Sequence, residues 1–301
     1  MTDKRFRLCF RITEEDEGKT VREFLRAKNI SRAALTDIKF RGGNLSVNGQ
    51  DVTVRKILQA GECLAVTFPE EKPSGEMAAE DIPLPILYED DYVLVVNKPA
   101  GMNTIPSREH PRGSLANAVS GYYRKTGLSS AVHIVTRLDR NTSGIVLIAK
   151  YRHIHHLFSQ QQREGRIIRT YEALAEGVFS ESRGWIEEPI ARKSDSIIER
   201  EVNPNGQYAC TYFELVRQYR SYAHVRIRPK TGRTHQIRVH LAHLGHPLLG
   251  DDLYGGSLKL INRQALHCSA IKFFHPVLEK ELEFLASLPD DMKKLTDIDK
   301  E

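Results

Sequence analysis

The sequence predicts an α+β protein, in which a small basic α/β module precedes a larger domain with a mainly antiparallel mixed sheet. Strand-like apolar runs outnumber helix-like stretches, and because the two do not alternate regularly, a largely antiparallel sheet is expected. A length of 301 residues favours two domains. Hydrophobic residues make up 40% and charged residues 28%, which is typical of a globular chain and excludes a disordered one.

Two helices followed by a compact sheet are predicted at the start of the chain. Val21 and Leu25 recur at helical spacing, and Ser31 is a good N-cap for a second helix. Alternating apolar residues then predict strands at Leu45–Asn48 and Cys63–Phe68.

Positive charge is concentrated in this first module. Between Lys19 and Lys56 there are nine Lys and Arg residues against three acidic residues, whereas the whole chain has a net charge of +5. A basic surface of this kind favours a polyanionic partner.

Changes in composition predict the domain boundaries. The basic module is expected at residues 1–69, and an acidic linker with proline and glycine follows at 70–81. The larger domain is expected at 82–289, and the charged tail at 290–301 is expected to fray.

Short apolar runs and helical periodicity predict the elements of the larger domain. Strands are expected at Tyr92–Val96, Ile145–Ala149, Tyr171–Gly177, Ala209–Arg217, His224–Pro229 and Ala270–Phe274. Helices are expected at Ser114–Tyr123, Tyr151–Gln162 and Arg233–Leu244, the last with Ile237, Leu241 and Leu244 toward the core. No apolar run approaches the roughly 20 residues that cross a bilayer, so no membrane partner is expected.

Cysteine usage and the first residues indicate the compartment. The four cysteines are far apart and form no Cys-x-x-Cys pair, which argues against a disulfide framework and a thiolate metal site. The first thirteen residues alternate basic and apolar side chains and contain no apolar signal core. A cytoplasmic protein is therefore expected.

A polar segment, Arg-Leu-Asp-Arg-Asn-Thr-Ser-Gly, lies between two apolar runs. Its Asp139 is flanked by Arg137 and Arg140, and opposite charges favour an ionised carboxylate. The hydroxyls of Thr142 and Ser143 and the following glycine suit a turn that approaches a sugar–phosphate backbone. A surface loop in which Asp139 only pairs with its arginines explains the same charge pattern.

A second polar cluster precedes and begins the last predicted helix. It contains Arg233, His235, Gln236, Arg238 and His240. Four histidines in residues 230–246 raise the possibility of a metal site, but two ligands on one helix face need a spacing of four residues. The gaps between these histidines are five, three and three residues, so no metal is expected. A solvated basic helix end is the simpler alternative.

Two further positions lie at the ends of predicted strands. Lys98, in Asn-Lys-Pro-Ala-Gly, is expected on a turn, where functional groups are common. Tyr171 opens a strand, and a core position is the ordinary role of such a residue. The acidic pairs Asp90–Asp91, Glu187–Glu188 and Asp251–Asp252 do not suggest a hydrolase, because neighbours on a strand point to opposite faces. They are expected to be solvated.

The order of these motifs resembles the RluA-type family of RNA pseudouridine synthases. The resemblance covers about residues 82–284 and includes the later segments His246–Gly255 and Leu266–Ser269. The basic module is similar to the S4 RNA-binding fold, especially at Ile30–Ala33 and Val47–Gly49. The resemblance implies an isomerase without metal or other cofactor. A monomer is expected, because nothing in the sequence demands more than one chain. Its expected substrate is uridine in structured RNA, with 23S ribosomal RNA favoured over transfer RNA.

The same resemblance suggests individual roles. Asp139 corresponds to the essential aspartate, acting as nucleophile or base, and Tyr171 to a tyrosine that stacks on uracil and is a candidate for handling the C5 proton. Arg238 corresponds to the arginine that pairs with the aspartate, and Arg233 is the competing candidate. We predict RNA contacts for Arg137, Arg140, Thr142, Ser143, Lys98, Arg233, His235 and Gln236, and in the module for Arg22, Lys28, Arg32, Lys39 and Arg41.

The chain departs from the family pattern at three places. Thr136 stands where histidine is usual, Ile105 precedes Pro106 where a His-Pro pair is usual, and Arg169 replaces a lysine. None of these changes removes a predicted catalytic group. A non-catalytic RNA-binding or ribosome-assembly protein and an RNA N-glycosidase are the alternative functions.

Overall fold

The computed structural model describes residues 5–72 and 77–297. The outer parts of the predicted module and tail, residues 1–4 and 298–301, and linker residues 73–76 lie outside the described residues. Most of the described strands belong to two sheets, one of four strands and one of ten.

The four-stranded sheet belongs to the basic module. Its strands have the order β1-β4-β2-β3 and all pair in antiparallel fashion. The elements are β1 (Arg7–Arg11), α1 (Val21–Ala27), α2 (Arg32–Phe40), β2 (Asn44–Val47), β3 (Gln50–Asp51) and β4 (Cys63–Thr67). The Ser31 hydroxyl accepts a hydrogen bond from the Ala34 N–H, so the predicted N-cap is confirmed.

The ten-stranded sheet contains most of the remaining chain. Its order is β10-β13-β14-β9-β15-β8-β6-β5, with β16 beside β15 and β7 beside β8. Only β15 and β8 pair in parallel among the described strands, so the predicted α+β class with a mainly antiparallel mixed sheet is confirmed. The strands are β5 (Ile86–Glu89), β6 (Val93–Lys98), β7 (His133–Ile134), β8 (Ser143–Ala149), β9 (Ile168–Glu176), β10 (Arg183–Ile186), β13 (Thr211–Gln218), β14 (Tyr222–Pro229), β15 (Leu266–His275) and β16 (Lys280–Leu285). A separate pair is formed by β11 (Ile190–Arg192) and β12 (Arg200–Val202).

Four further helices accompany the large sheet. They are α3 (Leu115–Thr126), α4 (Arg152–Arg163), α5 (Gln236–His243) and α6 (Asp290–Thr296). The helix predicted at 233–244 begins only at Gln236, because His235 has a left-handed backbone with φ of 57°. Leu244 follows the helix and is 42% exposed, so the prediction that it faces the core was wrong.

The charged segment after residue 289 is ordered over residues 290–296, contrary to the expected fraying. Met292 and Leu295 are buried on α6, and the hydroxyls of Tyr219 and Tyr222 donate to the carbonyls of Thr296 and Leu295. Met292 and Leu295 are three positions apart and so lie on the same face of the helix, which packs against the protein although the rest of its sequence is charged. No helix in the described ranges is long and apolar enough to cross a bilayer.

The module and the large sheet share one apolar core. Phe6 stacks on Phe68 and on Tyr151, with ring centroids 4.8 and 4.2 Å apart. Glu71, in the connection between them, accepts hydrogen bonds from the Ser130 hydroxyl and the Arg152 N–H. These contacts fix the module against the face of the sheet that carries α4.

Candidate active site

Asp139 lies in the turn before β8, at a cavity of about 570 Å³. The Thr142 N–H donates to the Asp139 carbonyl at 3.1 Å and closes this turn. The buried Thr104 hydroxyl donates to the Leu138 carbonyl at 2.7 Å and accepts from the Leu138 N–H at 3.1 Å. Both backbone polar groups of Leu138 are therefore fixed by one buried side chain, immediately before Asp139, which lines the cavity.

Arg238, in the first turns of α5, connects two carboxylates. One Nη lies 3.3 Å from Asp139 Oδ2, while the Nε and the other Nη each donate to Asp251 at 2.7 Å. Burial disfavours the charge of Arg238, but the hydrogen bonds that it donates to Asp251 outweigh this effect and raise the pKa of the guanidinium. Arg233 instead is exposed and donates to the Tyr208 carbonyl, so the geometry favours Arg238 as the partner of Asp139.

Asp251 is a member of the site that the sequence reasoning missed. We expected it to be solvated, but its side chain is only 1% exposed and is paired with Arg238. Its place within the segment His246–Gly255 was the signal that could have identified it. The expectation also fails for Asp90, because hydrogen bonds from His275 and the Tyr92 N–H overcome burial and lower its pKa to about 2.

Tyr171 forms a buried wall of the cavity. It lies on β9 between β14 and β15 and is 4% exposed. Burial raises the pKa of its phenol, which therefore stays neutral at physiological pH. Arg169 lies two residues earlier on the same face and donates to the Tyr171 hydroxyl at 3.4 Å.

His235 also reaches the site. Its Nδ1 lies 2.8 Å from the Tyr254 hydroxyl and its Nε2 lies 3.9 Å from Asp139 Oδ2. Burial lowers the pKa of the imidazole. A left-handed backbone is uncommon for histidine, and surrounding contacts must hold it there. The imidazole is thus placed beside the carboxylate and not on the outer surface.

The structure contradicts the predicted RNA contact of Lys98. Its side chain is fully buried, and the ammonium donates to the carbonyls of Pro99, Met102 and Arg140. Burial lowers its pKa to about 7. Lys98 therefore supports the backbone next to Asp139 from inside the protein.

Three other residues that we predicted to contact RNA have polar groups that are buried and bonded within the protein. The Ser143 hydroxyl lies 2.9 Å from His267 Nδ1, and the Thr142 hydroxyl accepts from the Gln264 amide. Gln236 accepts from the Thr231 hydroxyl and donates to the Cys210 carbonyl. Thr142 and Gln236 nevertheless line the cavity.

Gly144 serves contact between strands and not a sugar–phosphate backbone. Its φ is 117°, and an added Cβ would lie 2.3 Å from the Cys268 carbonyl oxygen of β15. The glycine therefore permits the parallel pairing of β8 with β15 immediately behind Asp139.

Apart from His235, the remaining predicted RNA contacts are exposed basic side chains. Arg140 donates to the Gly101 carbonyl at 3.2 Å. Lys28 lies 3.6 Å from Glu279 and Arg41 lies 3.4 Å from Asp37. The exposed basic residues at the cavity are Arg137, Arg140 and Arg233. The exposed basic residues of the module are Arg22, Lys28, Arg32, Lys39 and Arg41.

The departures from the family pattern leave the cavity intact. Thr136 is buried, and its hydroxyl accepts from the Leu147 N–H. Ile105 and Arg169 both line the cavity.

The histidines do not form a metal site in the described ranges. His240 is buried between the Thr211 hydroxyl and the Glu188 carbonyl. No cluster of potential metal ligands occurs within residues 5–72 and 77–297.

Comparisons with known proteins agree on one family. The sequence model of the RNA pseudouridylate synthase family matches residues 92–243. An uncharacterized RNA pseudouridine synthase of Bacillus subtilis, YjbO, is 49% identical over 276 residues, which cover 92% of this chain and 98% of that protein. The ribosomal large subunit pseudouridine synthase D of Yersinia pestis is 35% identical, covering 83% of this chain and 81% of its own length.

A solved structure shows the same fold. The human RNA pseudouridylate synthase domain containing 1 is 22% identical, with a TM-score of 0.58. The match covers 73% of this chain and 96% of the human chain.

Proposed function

The chain belongs to the RNA pseudouridine synthase family and is therefore an isomerase of uridine in RNA, and on this premise we propose that Asp139 is its essential catalytic residue. The observation that carries the proposal is the chain of contacts from Asp251 through Arg238 to Asp139 at a cavity walled by Tyr171. Arg238, held rigidly by Asp251, orients the Asp139 carboxylate for reaction.

The reaction breaks the N1–C1′ bond of uridine and joins C5 to C1′, while the hydrogen of C5 leaves and N1 gains one. A carboxylate beside the ribose serves as nucleophile at the sugar or as base, and both roles require Asp139 to face the base and sugar. No water takes part in the net change. A pocket that lets the detached base escape would release free uracil.

The uridine must leave its stack before it can reach Asp139, at a cost of a few kcal/mol. The exposed Arg137, Arg140 and Arg233 at the cavity offset this cost through phosphate contacts. Tyr171 then forms one face of the site for the flipped base, because its buried ring is apolar and fixed.

The RNA substrate that we propose is 23S ribosomal RNA. The proposal rests on the relatives named as ribosomal large subunit pseudouridine synthases and on the exposed basic residues of the module. We infer that residues 1–69 are an S4-like domain that provides a second anchoring point on a large RNA. One chain supplies Asp139, Tyr171, Arg238 and Asp251, so a monomer suffices for the site.

The first test compares the wild type with Asp139→Asn on RNA carrying uridine tritiated at C5. Isomerisation releases this hydrogen to water, so we expect release by the wild type and none by the variant. RNA binding by the variant should persist, because the substitution keeps the shape of the side chain. Undiminished release by Asp139→Asn would refute the role of Asp139.

Parallel assays identify the substrate and exclude the alternatives. Precursor 23S ribosomal RNA, mature 23S ribosomal RNA and transfer RNA are tested separately, and release from transfer RNA alone would contradict the proposed target. Chromatography for free uracil distinguishes isomerisation from N-glycosidase activity. RNA binding without release from any substrate would favour a binding protein.

A further inference from the structure

We propose that an exposed aromatic and basic surface beside the cavity binds the single-stranded RNA that flanks the target uridine, with a base stacked on Trp185. The Trp185 surface consists of Arg183, Trp185, Tyr212, Arg228 and Lys230. This inference rests on the proposed function, since it assigns a second contact for the same RNA.

The sheet brings these residues together from three strands. Trp185 of β10 is paired with Tyr212 of β13, and Tyr212 is paired with Arg228 of β14. Directly paired residues of antiparallel strands point to the same face. The neighbouring row, from Gly184 through Phe213 to Ile227 and Tyr171, points to the opposite face. The Trp185 surface is therefore separate from the wall that Tyr171 forms.

The aromatic groups are presented to solvent. Trp185 is 52% exposed, and its ring centroid is 4.8 Å from that of the half-buried Tyr212. The Lys230 ammonium lies 4.2 Å from the Trp185 centroid. An exposed indole carries an energetic penalty in water that stacking with a nucleobase removes.

The charges on this surface match an RNA strand. Arg183, Arg228 and Lys230 are all exposed, and Glu214, which lies between Arg183 and Arg226 in the register, is half-buried. Basic side chains interleaved with aromatic rings bind single strands, because the rings stack on bases while the cations contact phosphates. A protein partner would also be held by an aromatic patch, but the excess of positive charge favours a polyanion.

The surface is continuous with the cavity along the chain. Trp185, Tyr212 and Arg228 each lie one residue from the end of their strand, at the end where Pro229 leads into Lys230. Pro229 and the segment 231–233 line the cavity. A strand that leaves the cavity past these residues therefore comes to the end of the sheet where Lys230 and Trp185 lie.

The chain contains one tryptophan, so its fluorescence reports on this surface alone. The wild type is titrated with a short oligouridylate and with a strand of equal length that lacks bases. We expect saturable quenching by oligouridylate and little quenching by the abasic strand, because only a base can stack on the indole. Equal quenching by both strands, or quenching by neither, would overturn the proposal.

Trp185→Leu tests the effect on the RNA substrate. We expect its KM in the tritium-release assay to rise at least about fivefold, with kcat within about twofold of the wild type. The matched control is Leu285→Ala, a 72% exposed apolar residue on β16, which should change neither constant. Lys230→Gln should weaken binding and reduce its salt dependence.

The results also separate this inference from the proposed function. An unchanged KM for Trp185→Leu with an active wild type would refute the stacking surface and leave the isomerase intact. If the wild type released no tritium, the proposed substrate would fail, and the quenching by oligouridylate would still decide whether Trp185 binds RNA.

Discussion

Arg238 lies between two carboxylates that differ in burial, and this difference separates their roles. Asp251 is buried and makes two hydrogen bonds of 2.7 Å to the guanidinium, whereas Asp139 is partly exposed and lies at 3.3 Å. The shorter, buried hydrogen bonds to Asp251 hold the guanidinium in place. Asp139 is left accessible to substrate on the open side of the same group.

Asp251→Asn should therefore impair catalysis through the position of Arg238. We expect kcat to fall by about a hundredfold with a smaller change in KM, together with a loss of about 3–5 kcal/mol in the free energy of unfolding. Steady-state tritium release and urea denaturation measure the two effects. The exposed neighbour substitution Asp252→Asn should leave both unchanged; equal kcat for the two variants would contradict the positioning role.

The buried Lys98 is expected to make the stability of the fold depend on pH. Burial lowers its pKa to about 7 in the folded chain, against about 10.4 in the unfolded chain. Between these values the unfolded chain binds more protons, so the contribution of Lys98 to stability increases as pH rises. The charge on Lys98 is therefore a cost to the fold at pH 7 and below, and that cost is relieved at higher pH.

The test compares wild type with Lys98→Met, which cannot titrate. We expect the difference in unfolding free energy, wild type minus variant, to increase between pH 7 and pH 9 in urea denaturation. The other titratable groups contribute equally to the unfolding free energy of both proteins, so their contributions cancel in this difference. A difference that stays constant over the range would show that Lys98 keeps its ordinary pKa.

At the scale of elements, α6 is connected to the turn that carries Asp139. Arg263 donates to both carboxylate oxygens of Asp291 on α6, at 2.7 and 2.8 Å, and also to the Asn141 carbonyl at 3.2 Å. The helix thus braces the site from a position late in the chain. Its docking depends on two buried side chains, Met292 and Leu295.

Met292→Ala should undock this helix in part. Removal of a fully buried methionine side chain is expected to lower the free energy of unfolding by about 2–5 kcal/mol. Urea denaturation provides the measurement, and Lys294→Ala on the exposed face of α6 is the control. A loss no greater than that of the control would mean that α6 contributes nothing to stability.

At the scale of the whole molecule, the basic module and the large sheet form one packed body. Phe6 stacks on Tyr151, and Lys28 of α1's C-terminal end lies 3.6 Å from Glu279. The exposed basic residues of the module are therefore held at a defined place relative to the cavity. If an RNA contacts both the module and the cavity, phosphate contacts would set its position, and contacts with the base would be made in the cavity.

Arg32→Gln should weaken RNA binding without affecting the chemical step. Loss of one phosphate contact is expected to reduce the slope of log affinity against log salt by about one, while kcat at saturating RNA stays unchanged. Binding measured over a range of salt concentrations tests this, with Lys293→Gln on α6 as the control. An unchanged slope would show that Arg32 makes no phosphate contact.

Sequence alone predicted the α+β class and the two N-terminal helices, and it singled out Asp139 and Arg238 as candidate site residues. Helical periodicity, strand alternation, the Ser31 cap and contiguous motifs are local patterns, so they can be read along the chain. The pairing of Asp139 with Arg238, 99 residues apart, was reached through family resemblance and not through spacing.

The folded chain, in contrast, separates the polar residues that stay exposed at the cavity from those that support the site from within. Lys98, Ser143 and Asp251 carry polar groups that look solvent-accessible in sequence, yet each is buried and bonded to a distant segment. The sequence of α6 is mostly charged, yet two of its side chains, Met292 and Leu295, are buried. Burial and pairing arise from contacts between segments far apart in the chain, and local periodicity carries no information about them.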